Sequence, residues 1–127
     1  MDSAAVILRD RDDRVLLLLR GPTAPLGALQ WNLPGGIVEP GESIADTARR
    51  EAHEEAAVHV VSMLPFARVR FWGGLFYVFC ATAWTGRVQL LDGEHVDHAW
   101  VPRAEAPHWD VISSQRPVLH SFAACPA

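Results

Sequence analysis

Lysine is absent from the 127-residue sequence; all eleven basic residues are arginine, set against fifteen acidic ones, for a formal net charge of −4. That balance excludes a nucleic-acid groove, which needs a basic stripe to displace counterions. It also means that any side-chain clamp on a phosphate must use the planar guanidinium fork. Cysteine is scarce as well. Cys80 lies inside an apolar run and Cys125 near the tail, which excludes a disulfide framework and a zinc site. Long hydrophobic runs are missing: the stretches 15–19 and 75–84 fall short of the roughly 20 residues a membrane-spanning helix needs. The opening Met1-Asp2-Ser3 lacks the positive region of a secretory signal, so a cytoplasmic location is expected. No repeat or linker divides the chain, and one domain over residues 1–127 is expected.

What is present is patterned. Residues 4–8 and 14–19, separated by Asp10-Arg11-Asp12-Asp13, predict a β-hairpin. It is buried on both faces, since Leu16 to Leu19 does not alternate. Residues 21–27 predict a loop, and 31–38 an extended segment interrupted by Pro34-Gly35-Gly36. The best helix spans about 43–57. Ser43 is its N-cap, Asp46 a capping-box-like partner, and Ala45, Ala48, Ala52 and Ala56 form a small-residue stripe. Residues 58–64, 66–72, 75–84, 88–91 and 96–101 predict strands, with Gly73-Gly74 turning a hairpin. A last helix is expected over about 113–124. The class is α/β with a mixed sheet and two main helices.

The chemistry concentrates in residues 36–58, GIVEPGESIADTARREAHEEAAV. Glu51, Glu54 and Glu55 stand at i, i+3 and i+4, within an arc of about 100° on one helix face. Such a face is ordinarily just solvated, and clustered carboxylates repel one another by roughly 0.2–0.5 kcal/mol per pair. Two neighbours point instead to a hard-cation site. Gly35-Gly36 lets bare carbonyls approach an ion, and Arg50 can fix a carboxylate by a charge-assisted hydrogen bond.

Gly36, Glu42, Arg50, Glu51, Ala52, Glu54, Glu55 and Val58 fall at the spacings of the Nudix signature, with every charged position in register. The chain resembles that family over nearly its whole length, which implies the Nudix α/β/α sandwich. The resemblance implies Mg²⁺, with Mn²⁺ able to substitute, and hydrolysis of a phosphoanhydride bond in a nucleoside diphosphate derivative. By resemblance Glu54 and Glu55 are the principal metal ligands, Glu51 a ligand or the general base, and Arg50 the residue that orients them. Gly35 or Gly36 offers a backbone carbonyl. Glu42 ties the loop to the helix and is a candidate for the metal shell, and Glu94 is the candidate carboxylate from a later loop. One departure stands out: Ala57 occupies the signature's glycine near the helix end, where a left-handed backbone is expected.

On the substrate side, the same resemblance implies Arg20 as the candidate phosphate contact and Gln115 as the candidate reader of a base edge, which suits an amide that both donates and accepts. Trp31 and Trp72 are candidates for stacking on a base; Trp84 and Trp100 are expected in the core. His95 and His98 lack metal-ligand spacing, so no role is expected of them. The expected substrate is a small nucleotide-like molecule, a nucleoside triphosphate or modified nucleotide. The alternatives are ADP-ribose or another nucleoside diphosphate sugar, and a catalytically silent ligand-binding module. The chain is expected to act as a monomer or homodimer, without nucleic acid or membrane.

Overall fold

The computed structural model describes residues 1–71 and 73–126. Its elements run β1 (Ser3–Ile7), β2 (Arg14–Arg20), β3 (Trp31–Asn32), β4 (Gly35–Ile37), α1 (Ile44–Ala56), β5 (His59–Phe71), β6 (Gly74–Thr85), β7 (His95–Pro102) and α2 (Arg116–Ala124), with a short 3-10 helix at Ala106–His108 before α2. Two sheets form, ordered β4-β1-β6-β5 and β3-β2-β7. The first is mixed, because β1 runs parallel to β6 and antiparallel to β4.

The double-sided burial of β1 and β2 explains their unbroken apolar sequences. Ala4, Val6 and Leu8 pack with Leu16, Leu18 and the α1 alanines Ala48, Ala52 and Ala56. The alternate residues Ala5 and Ile7 pack with Val15, Leu17 and the α2 residues Val118, Leu119 and Phe122. Successive side chains of a strand point to opposite faces, so each face needs its own cover. Helix on one side and helix on the other make the α/β/α sandwich. Alanines in α1 carry no bulk beyond Cβ, which lets the helix, and the glutamates beside the stripe, lie close to the sheet.

Several expectations are corrected. β1 and β2 do not form a regular hairpin. They are linked by one isolated bridge, Arg9 to Val15, and by Leu16 N donating to Leu8 O, then diverge into different sheets because long-range partners claim their edges. β5 runs unbroken through Pro65 where two strands were expected. Pro65 sits at a register shift on an edge strand, where its missing N–H disrupts least. Residues 88–91 form no strand; Val88 and Leu90 pack against the α1 side of the core instead, and Gln89 N donates to Ala56 O. α2 starts at Arg116 rather than near residue 113, with Pro117 in its first turn. Trp72 lies outside the described residues.

The ends of α1 match their sequence signals. Ser43 Oγ accepts from Asp46 N at 3.0 Å, and Ala57 closes the helix in the left-handed region at φ 62°, ψ 23°. A Cβ there is disfavoured by about 1–2 kcal/mol, partly offset by the lower entropy of an unfolded alanine. Ala57→Gly is therefore expected to raise the unfolding free energy by about 0.5–1 kcal/mol, seen as a higher urea midpoint at unchanged slope. A lower midpoint would contradict that balance.

Candidate active site

Three segments distant in sequence meet at one cleft. The face of α1 carrying Arg50, Glu51, Glu54 and Glu55 lies against the Gly35-Gly36 segment, and the turn before β7 brings Asp92 and Glu94. With Arg20, Ile37 and Glu39 they line a cavity of about 600 Å³. Its wall thus holds six carboxylates against two guanidiniums, so the expected residues Arg50, Glu51, Glu54, Glu55, Gly35, Gly36, Glu94 and Arg20 are brought together.

The two glycines are required by close approach, since neither has a positive φ. A Cβ on Gly35 would sit 2.5 Å from Ala4 O in β1, and one on Gly36 would sit 2.5 Å from the Glu51 carboxyl carbon. Gly35 N donates to Glu55 Oε1 at 2.7 Å, so the loop and the helix glutamate are joined directly.

Arg50 is the hub of the acidic face. Its Nε and Nη2 grip Glu42 at 2.7 and 3.0 Å, while Nη1 reaches Glu51 at 2.7 Å and Glu54 at 3.1 Å. A planar fork with five donors can span three carboxylates in this way. Glu42 also accepts from Thr47 Oγ1 at 2.6 Å and from Glu39 N at 3.2 Å. These contacts hold its carboxyl at about 2, Arg50 contributing most. With its oxygens accepting from four protein donors, and absent from the cleft lining, Glu42 ties loop to helix.

Glu55 is the most perturbed group. It is 4% exposed, and burial pushes its carboxyl up to about 9, opposed by the Gly35 N–H and reinforced by Glu51, Asp92 and Glu94. Burial likewise raises Glu51 against the pull of Arg50. A buried carboxylate without a full counter-charge is costly.

Asp92 and His95 were not foreseen as site residues. Asp92 Oδ1 accepts from Glu94 N at 3.0 Å and His95 N at 3.3 Å, an Asx-type turn over Gly93, whose φ is 72°. Asp92, His95 and Glu55 place one potential ligand atom each within 4.8 Å of one another. The sequence signal was Asp92-Gly93-Glu94-His95 read as a unit, a turn whose acid and imidazole face inward.

Arg20 ends β2 where the register with β7 skips Val96, pairing Leu19 with Asp97 but Arg20 with His95. Its Nε donates to Leu26 O at 2.7 Å. The side chain borders both the acidic cleft and an adjoining pocket of about 130 Å³. That pocket is lined in part by Asn32, Leu33, Phe76 and Gln115. Gln115 Oε1 accepts from Leu33 N at 2.7 Å; only the amide oxygen can do so, which leaves the NH₂ for the pocket. Trp31 lies elsewhere, edge-on to Trp109 with centroids 5.0 Å apart, and lines neither cavity. Trp84 and Trp100 stack on each other at 5.7 Å against the α1 side of the core.

Comparison with known proteins agrees with this geometry. The profile of the NUDIX domain matches residues 1–122. Human 8-oxo-dGDP phosphatase NUDT18 is 34% identical over 107 residues, covering 81% of this chain and 32% of that protein. This chain thus spans about a third of that relative's length. The nucleoside triphosphatase NudI of Escherichia coli O9:H4 is 29% identical over 106 residues, 71% of this chain and 74% of NudI. Among solved structures, a MutT protein from Methanosarcina mazei Go1 superposes with a TM-score of 0.87 at 26% identity, covering 96% of this chain and 91% of that one.

Proposed function

The chain belongs to the Nudix family, and from that premise we propose that it is a Mg²⁺-dependent hydrolase of a phosphoanhydride bond in a nucleotide, a nucleoside triphosphate or modified nucleotide being its substrate. The observation that carries this reading is the cleft: six carboxylates converge where a negatively charged substrate would have to bind, with Arg20 at the passage to an amide-lined pocket. An anionic substrate cannot enter such a wall without cations to neutralise it. The donor set fits a hard divalent ion, which prefers carboxylate and carbonyl oxygens. Glu51, Glu54, Glu55 and Glu94 would hold it, with a carbonyl from Gly35 or Gly36. When bound, Mg²⁺ supplies neutralisation of the diphosphate and activation of water.

The chain's own groups divide the remaining work. Arg50 keeps Glu51 and Glu54 aimed at the cleft. Glu51, half-buried with its carboxyl raised, is suited to take a proton from the attacking water. Arg20 faces the substrate phosphates, its terminal nitrogens without a partner among the described residues. The Gln115 NH₂ reads an acceptor atom on a base edge in the adjoining pocket. The named substrates of the two relatives, 8-oxo-dGDP and nucleoside triphosphates, favour a nucleotide over a nucleoside diphosphate sugar.

The test is a hydrolysis screen across nucleoside di- and triphosphates, oxidised nucleotides and nucleoside diphosphate sugars, with products identified by mass. Activity is expected on the nucleotides rather than the sugars, to vanish in excess chelator and to return with Mg²⁺ or Mn²⁺. An ion that binds only the folded chain should also stabilise it by about 2.7 kcal/mol at a hundredfold excess over Kd. Full turnover in chelator would sink the proposal.

A further inference from the structure

We propose that His95 is a positioning residue, a buried two-ended spacer that holds the Asp92–Glu94 turn against Glu55 and so sets the affinity of the cleft for a divalent cation. The inference rests on the metal reading above. The side chain of His95 is fully buried, and both its ring nitrogens meet polar atoms. Nδ1 lies 2.9 Å from Asp92 Oδ2, and Nε2 lies 3.2 Å from Asn32 Oδ1. Glu55 Oε2 stands 3.8 Å from Nδ1.

These contacts link three segments. Asn32 ends β3 and is followed at once by the Leu33-Pro34-Gly35-Gly36 stretch. Asp92 shapes the turn that carries Glu94, and Glu55 belongs to α1. An aliphatic residue would fill the same core volume without the cost of burying a polar ring. The rigid ring donates from Nδ1 to Asp92 and abuts the Asn32 side-chain amide with Nε2, so that Asp92 is pulled inward while its other oxygen accepts from Glu94 N. The turn, and with it the Glu94 backbone, is thereby fixed relative to Glu55. Groups that orient ligands from behind typically carry about 10–100-fold in metal affinity.

His95→Asn and His95→Gln separate the two ends. The Asn amide nitrogen falls near the position of Nδ1 and can keep the bond to Asp92. The Gln amide reaches toward Asn32 and gives up Asp92. Each variant, with the wild-type chain, is titrated with Mn²⁺ by calorimetry, and its metal-free melting temperature is recorded beside it. The expected result is a loss of Mn²⁺ affinity of about 10–100-fold for His95→Gln, which gives up Asp92, and a clearly smaller loss for His95→Asn, which gives up only Asn32, at similar metal-free melting temperatures. A role in packing alone would move the melting temperatures and leave affinity alone. Equal affinities in all three proteins would overturn the proposal, and so would equal losses in both variants, which would make the imidazole itself the ligand. A wild-type chain that binds no Mn²⁺ would overturn the metal reading and this inference with it, whereas Mn²⁺ binding without hydrolysis would overturn only the proposed activity.

Discussion

Glu55→Gln is expected to lower turnover at saturating Mg²⁺ by about 10²–10³-fold, the usual cost of removing one preorganised electrostatic contact. The change is nearly isosteric. A Gln oxygen can still accept the Gly35 N–H that Glu55 Oε1 accepts at 2.7 Å, so the joint between loop and helix survives. What disappears is the negative charge that the most deeply buried acid in the cleft wall takes on when it gives up its proton to hold a cation. The metal-free protein should be as stable as before or more so, because wild-type Glu55 must keep in the fold a proton that the unfolded chain releases, a cost that Gln does not carry. Turnover with Mg²⁺ and thermal unfolding in chelator, measured on the same preparation, check both halves. Near-normal turnover would remove Glu55 from the machinery, and a lower metal-free melting temperature would make it a structural residue.

The second large effect is on stability against pH. An ordinary glutamate titrates near 4.5, whereas burial holds Glu55 near 9. Between those values the folded chain keeps a proton that the unfolded chain has released, so stability falls as pH rises. The Glu55 contribution is fully favourable below the unfolded value and declines toward pH 9, by at most about 1.4 kcal/mol for each pH unit. Urea unfolding in chelator at about pH 6 and about pH 8 should show this decline in the wild-type chain and a flatter profile in Glu55→Gln. Comparing the two proteins removes the titration of every other group. Divalent ions should act in the opposite sense, since a ligand carboxyl must lose its proton to bind, and their stabilising effect should grow with pH. A wild-type profile as flat as that of Glu55→Gln would show that Glu55 is ionised in the metal-free fold.

Much of this protein is determined by spacing along the chain. The interval from Glu51 to Glu55 places three carboxylates on one helix face because an α-helix turns 100° per residue. Ser43 marks the helix start by capping chemistry, and the alanine stripe beside the glutamates sets how closely the helix meets the sheet. Ala57 takes the left-handed conformation of the signature's glycine without being glycine. Local chemistry of this kind is carried by a few neighbouring residues, so it can be read without knowing where the rest of the chain goes.

The tertiary structure decided what depends on strand partners and on burial. The hairpin expected over residues 4–19 opens because β6 and β7 compete for its edges, and nothing within those residues records that competition. Trp31 turns toward Trp109, and Glu42 is taken up by protein donors. His95, flanked by polar residues in a turn-rich stretch, becomes one of the most buried side chains because β7 pairs with β2 and carries it under α1. Glu55 differs from Glu54 in the same way. The two are adjacent in sequence and chemically identical, yet one faces solvent and the other lies against Gly35, where loss of water raises its carboxyl far above the ordinary range. Burial is a property of the assembled elements, and it was burial that distinguished the acids of this site from one another.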